Sequence, residues 1–188
     1  SQHQDARGRV DRFRGRLVVP IRDHRGLVIG FGARDLSDSQ KKARPPAKYL
    51  NSPETTLFKK GKNVFGLDLA KEAMRSEDTA FVVEGYFDVI KLHDAGIRCA
   101  VGVLGTAITI DQLQLCARCG GRPSAALGRV ILCMDGDAAG RRAVERLCES
   151  PASSGLDSLS EAGVSVSVAT IPEDSGCKDP ADFLQVRC

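Results

Sequence analysis

The chain has 188 residues, 42% hydrophobic and 27% charged, which suits one or two globular domains with a sizeable core. Its net charge of +3 is unevenly spread: residues 1–60 carry 14 Lys and Arg against 6 Asp and Glu, and the remainder 13 against 18. No run approaches the ~18 apolar residues of a membrane span, and 7 scattered cysteines argue against a disulfide framework and for a reducing compartment.

Taken in order, residues 1–16 are rich in Arg and Gln with little apolar periodicity. An initial Ser without a hydrophobic leader reads as a fragment or a processed form. Leu17–Ile21 and Leu27–Ala33 read as two strands around Arg22-Asp-His-Arg-Gly26, a hairpin. Residues 37–47 form a basic, Pro-containing loop. Lys48-Tyr49-Leu-Asn51 then offers a cation, a ring and an amide, groups able to neutralise phosphate, stack on a base and bond to a sugar or base edge; simple packing is the alternative for Tyr49. Residues 59–63 are a polar link, and 64–77 a connecting helix.

From Thr79 onward strands and helices alternate: strand 79–83, helix 86–95 ending at Gly96, strand 99–103, and a helix over 109–118 that Thr109 can cap. After a loop at 120–128 come strand 129–134 and helix 138–149. Residues 150–162 are Ser- and Gly-rich and read as an inserted loop, and 164–171 is a last strand. Cys116 and Cys119 have the spacing of half a zinc site, but no second pair accompanies them, so they read as helix residues and no zinc is expected.

Two stretches carry the chemistry. Thr79-Ala-Phe-Val-Val-Glu84-Gly and Arg129-Val-Ile-Leu-Cys-Met-Asp135-Gly-Asp137 are β-favouring runs that end abruptly in carboxylates and glycine. Strands buried on both faces read as continuous apolar runs, and ligands of open parallel sheets sit beyond the strands' carboxyl ends. Oxygen-only donors imply a hard cation such as Mg²⁺. The competing reading makes Asp137 an N-cap for the helix behind it.

VVEGYFDV and MDGDAAGRRA resemble the two signature motifs of the TOPRIM fold, shared by primases, topoisomerases and some nucleases. RLVVPIRD, Gly30-Phe-Gly, KYLNSPET and Val103-Leu-Gly-Thr106 extend the similarity to the polymerase core of DnaG-type bacterial primases. That resemblance implies an α/β fold: a TOPRIM domain over 78–188, Rossmann-like, with a mostly parallel sheet flanked by helices. Ahead of it, residues 1–63 would be part of a mixed α+β primase subdomain. It implies Mg-dependent synthesis of RNA primers on single-stranded DNA, with Mn²⁺ able to substitute. Glu84, Asp135 and Asp137 would be catalytic and, with Asp179, would bind metal; Asp88 and Asp182 are further ligand candidates. Asp179 lies in an Asp-Pro segment like the family's third acidic element, where Ala181 replaces the second acid; a helix cap is its other reading. Arg22, Arg34, Lys48, Tyr49 and Asn51 map onto the family's basic ridge for template and nucleotide. Partners implied are single-stranded DNA, ribonucleoside triphosphates and, through a region outside this chain, the replicative helicase, with no membrane. A bacterial cytoplasm and a plastid or other organelle both fit. A TOPRIM nuclease or topoisomerase fragment, and a non-catalytic nucleic-acid-binding remnant, are the alternatives.

Overall fold

The computed structural model describes residues 11–36, 47–105, 107–122, 125–149 and 153–187. An antiparallel hairpin comes first. β1 (Arg16–Arg22) pairs with β2 (Val28–Asp35), and Asp23 shapes the turn by accepting from the amides of Arg25 and Leu27 at 2.9 and 3.0 Å. The Lys48–Asn51 stretch contributes a third strand, β3 (Tyr49–Asn51), which places Tyr49 opposite Arg34 and Asn51 opposite Gly32. Residues 1–10 and most of the expected basic loop, 37–46, lie outside the described residues.

A 3₁₀ turn at Lys60–Lys62 leads to α1 (Leu67–Glu77). The connecting helix starts at Leu67 rather than at residue 64. Phe65 is paired with Gly102, and Gly66 takes a left-handed φ of +79°, so the helix cannot extend backwards. Leu67, Ala70 and Met74 form its buried stripe.

The remaining elements build a parallel sheet flanked by helices. They are β4 (Thr79–Val83), α2 (Tyr86–Asp94), β5 (Ala100–Gly102), α3 (Ile110–Gly120), β6 (Arg129–Leu132), α4 (Ala138–Glu149), α5 (Ser153–Glu161), β7 (Ser165–Val168) and α6 (Pro180–Arg187). Strand order is β5-β4-β6-β7, all pairs parallel. After β5 the chain returns to the other side of β4, so the order reverses between β4 and β6. Gly96, at φ +92°, follows α2 in the left-handed conformation its position demanded.

One expectation fails here. The segment 150–162 is not simply an inserted loop, because Ser153–Glu161 is helix α5. Leu156 and Leu159, one turn apart, face the main core beside Val164, and that apolar pair outweighs the Ser/Gly composition. The main core lies between the sheet, α1, α3, α4 and α5; a second cluster of Ile21, Phe58, Tyr86 and Leu104 joins the antiparallel sheet to the parallel one.

Candidate active site

Glu84 and Asp135 leave the carboxyl ends of the adjacent strands β4 and β6, at the point where strand order reverses. The Asp135 amide donates to Glu84 Oε1 at 3.2 Å, so the two acidic turns are bonded to each other. Close approach depends on Gly140, where a Cβ would collide with the Asp135 carbonyl and lie 2.9 Å from Glu84 Oε1. Asp137 Oδ1 accepts from the Gly140 amide at 2.9 Å, the capping contact expected of it. Asp179 Oδ1 likewise accepts from the Asp182 amide at 2.7 Å at the start of α6. The segment carrying Asp179 is tied back to the Asp135 turn by the Gly136 amide, which donates to Lys178 O at 3.0 Å.

Burial, followed by the charges of Glu84, Asp88, Asp179 and Asp137, pushes the Asp135 carboxyl up to about 7. Burial and then Asp179 push Asp88 up to about 6. Glu84 is raised as well, chiefly by burial, against the lowering hydrogen bond from the Asp135 amide. Glu84, Asp88, Asp135, Asp137 and Asp179 are therefore gathered into one mutually repelling group. Asp182 is not among the charges acting on Asp135 or Asp88. Ala181 beside it is buried.

Tyr49 belongs to a wall of packed aromatic and basic side chains. The Tyr49 ring meets Tyr86 edge-on at 5.6 Å and Phe87 at 6.1 Å. Arg34 stacks over Phe87 at 5.0 Å, and Lys48 over Tyr49 at 5.5 Å. Burial raises the Tyr49 hydroxyl; Arg34 lowers it, and Asp88, Asp179 and Asp135 add to the rise. Tyr49 thus sits within electrostatic reach of the acidic group. Tyr86 OH donates to Ala33 O at 3.1 Å, and its ring fills the space where Gly32 lacks a Cβ.

Two ridge residues are placed differently from the rest. Asn51 turns its amide inward: Nδ2 donates to Leu104 O at 2.9 Å, while Oδ1 is buried with no partner among the described residues. Arg22 lies at the hairpin end, bonding Gly26 O at 2.7 Å. It pairs opposite Val28, six residues from Arg34, or about 20 Å along the strand.

Sequence reasoning missed several participants. Arg12 donates twice to Asn51 O, at 3.2 and 3.0 Å, and Arg16 to Lys48 O at 3.4 Å, so the two hold the backbone at either end of the 48–51 stretch. Arg146 lines a cavity of about 230 Å³ that also touches Glu84. A larger cleft of about 480 Å³, lined by Asp135 and Arg141, opens between α4 and the end of β7. The aromatic pair in EGYFDV was the readable signal for Tyr86 and Phe87. Nothing local marked Arg146.

Among the described residues no three His, Cys, Asp or Glu side chains form a ready metal cluster. The donor chemistry nevertheless fits a hard cation. All five gathered side chains are carboxylates, and Asp135 Oδ1 is buried with no hydrogen-bond partner among the described residues, an acceptor suited to a cation. Cys116 is buried in α3, and its thiol is pushed up to about 12 by that burial.

Comparison with known proteins bears on both halves. The family described as the DNA primase catalytic core, N-terminal domain, matches residues 1–71, and the Toprim domain matches residues 78–170. The DNA primase of Synechococcus elongatus is 44% identical over 97% of this chain and 24% of its own length. The chain belongs to the DnaG-type DNA primase family. It spans about a quarter of the length of that relative. Among solved structures, the RNA polymerase domain of Mycobacterium tuberculosis primase DnaG is 38% identical with a TM-score of 0.76, over 99% of this chain and 58% of the other. A DnaG primase catalytic domain bound to single-stranded DNA gives the same identity and TM-score, over 98% of this chain and 53% of the other. In DnaG-type terms, the antiparallel sheet belongs to the N-terminal part of the core, and β4 to β7 to the Toprim domain. Among the described residues, no helix is long and apolar enough to cross a membrane.

Proposed function

We propose that this chain is the part of a primase core that performs nucleotidyl transfer, extending an RNA primer on single-stranded DNA. The observation that carries this reading is the electrostatic coupling of five carboxylates at the carboxyl ends of β4 and β6 and on the segments beside them, with Tyr49 of the Lys48–Tyr49–Arg34–Phe87 group within reach of three of them. Glu84, Asp135, Asp137 and Asp179 would hold the metal, with Asp88 completing their negative field. Bound Mg²⁺ supplies easier ionisation of the attacking 3′-hydroxyl and neutralisation of charge on the reacting phosphate. Asp135 keeps an oxygen unsatisfied for that purpose. Glu84 spends one oxygen on the Asp135 amide, which holds the second acidic turn in place. Lys48 and Arg34 attract the polyanion, and the exposed face of Tyr49 offers a stacking surface for a base. Asn51 acts through the Leu104 loop rather than by direct contact.

The test is RNA synthesis on a single-stranded template with ribonucleotides and Mg²⁺ or Mn²⁺, comparing the chain with Asp135→Ala and Asp137→Ala. Metal-dependent oligoribonucleotides that vanish in both variants establish the reading. Template cutting without synthesis points instead to the nuclease chemistry of the wider TOPRIM group.

A further inference from the structure

Gln112 is 1% exposed, one of only two buried polar or charged residues among those described. It belongs to a capping box at the start of α3: the Thr109 side chain accepts from the Gln112 amide at 3.2 Å, and Gln112 Oε1 accepts from the Thr109 amide at 3.1 Å. A capping box needs only that acceptor, and Glu serves it as well as Gln. Here the other end of the side chain is also used. Gln112 Nε2 donates to Lys60 O at 2.9 Å and to Asn63 O at 3.0 Å, and Thr109 Oγ1 donates to Gly61 O at 2.6 Å.

Three carbonyls of the 60–63 segment are thus gripped by one helix start, and Ala107 and Ile108 just ahead of it line the cavity that Glu84 touches. On its other side the segment is braced toward the antiparallel sheet. Glu54 Oε1 accepts from the Lys60 amide at 2.9 Å, and Thr55 Oγ1 accepts from the amides of Leu57 and Phe58. Fully buried Phe58 lies against Gly30 of β2. A path of hydrogen bonds, completed by the packing of Phe58 on Gly30, therefore runs from α3 through the linker to the sheet that carries Arg34 and Tyr49.

The geometry points to Gln112 as a positioning residue, a clamp that fixes the basic aromatic wall at its working distance from the carboxylates. Only Gln offers an acceptor at one end and two donors at the other with this reach. The nucleotide arm of the test rests on the primase reading; the exchange arm does not.

The experiment uses the 188-residue chain with Gln112→Leu, which removes both functions, and Gln112→Glu, which keeps the capping acceptor and loses the donors. Backbone hydrogen exchange is read at a temperature where circular dichroism shows every variant folded. The clamp predicts at least tenfold faster exchange across 49–63 in both variants, with β4 and β6 unchanged. Binding of ATP with Mg²⁺ should weaken at least fivefold, read through Tyr49 and Tyr86, the only two tyrosines in a chain without Trp. Mn²⁺ affinity should stay at the wild-type value. Faster exchange confined to the first turn of α3, or a Glu variant indistinguishable from wild type, overturns the clamp and leaves an ordinary cap. Should one variant not fold, the other decides alone by the same exchange criterion. A wild-type chain that takes no ATP counts against the nucleotide reading, while exchange still decides the clamp.

Discussion

Asp135 joins its proposed metal-binding role to a cost in stability. Its carboxyl rises from the ordinary 3.8 to about 7, and that of Asp88 to about 6, so the fold favours the protonated forms. A folded-state value above the unfolded one stabilises fully below the unfolded value, and that stabilisation is lost as pH rises through the folded value. The metal-free chain should therefore melt at progressively lower temperature as pH climbs from about 4 to about 8, the window set by those shifts. Calorimetry at several pH values checks this, and Asp135→Asn should flatten the trend while raising the metal-free melting temperature at pH 8. Excess Mg²⁺ should restore stability to the wild type by mass action and do far less for the Asn variant. Gly140 makes a second residue-scale case. A Cβ there collides with the Asp135 carbonyl, so Gly140→Ala should cost about 1–3 kcal/mol in urea denaturation and weaken Mn²⁺ binding by displacing the acidic turn.

Among the elements, α5 is the one whose composition misleads. Its sequence, SSGLDSLSE, is rich in residues that favour turns, and the helix is held by Leu156 and Leu159 against the core. Leu159 is 3% exposed, so Leu159→Ala should destabilise by about 2–5 kcal/mol, the range for a buried leucine. A mobile loop would give a change near zero, and chemical denaturation separates the two. The start of α3 teaches the complementary lesson. Thr109 and Gln112 have the spacing of a capping box, and the cap itself was legible. Its second set of bonds, to carbonyls some 50 residues away in sequence, left no local trace.

For the molecule as a whole, the charge division becomes spatial. A basic antiparallel sheet and an acid-tipped parallel sheet meet at Phe58, Tyr86 and Leu104, with Tyr86, Asn51 and Gln112 bonding across the junction. Binding of single-stranded DNA should fall steeply with salt, because released counterions supply much of its affinity. Replacing Lys48 or Arg34 by Ala should each lower the slope of log affinity against log salt by about 0.7, as expected per phosphate contact on a single strand. Arg22→Ala should leave the slope unchanged, since that side chain is spent on the hairpin turn. Affinity titrations across a salt series read all three.

The alternation of strands and helices from Thr79, the hairpin, the two acidic turns and the family were all determined by the sequence itself. Each depends on local periodicity, turn chemistry or a contiguous motif, and such signals survive without tertiary context. Which strands became neighbours did not. Glu84 and Asp135 are separated by 51 positions and come together only because β6 returns beside β4, creating the crevice where the strand order reverses. The dispersal of the ridge was equally a tertiary decision. Register along β2 put Arg34 opposite Tyr49 and over Phe87 and left Arg22 at the hairpin end, and an available carbonyl on Leu104 drew the Asn51 amide inward. Pairings of that kind are set by long-range packing and by the need to satisfy buried polar groups, neither of which is written in any one stretch of the chain.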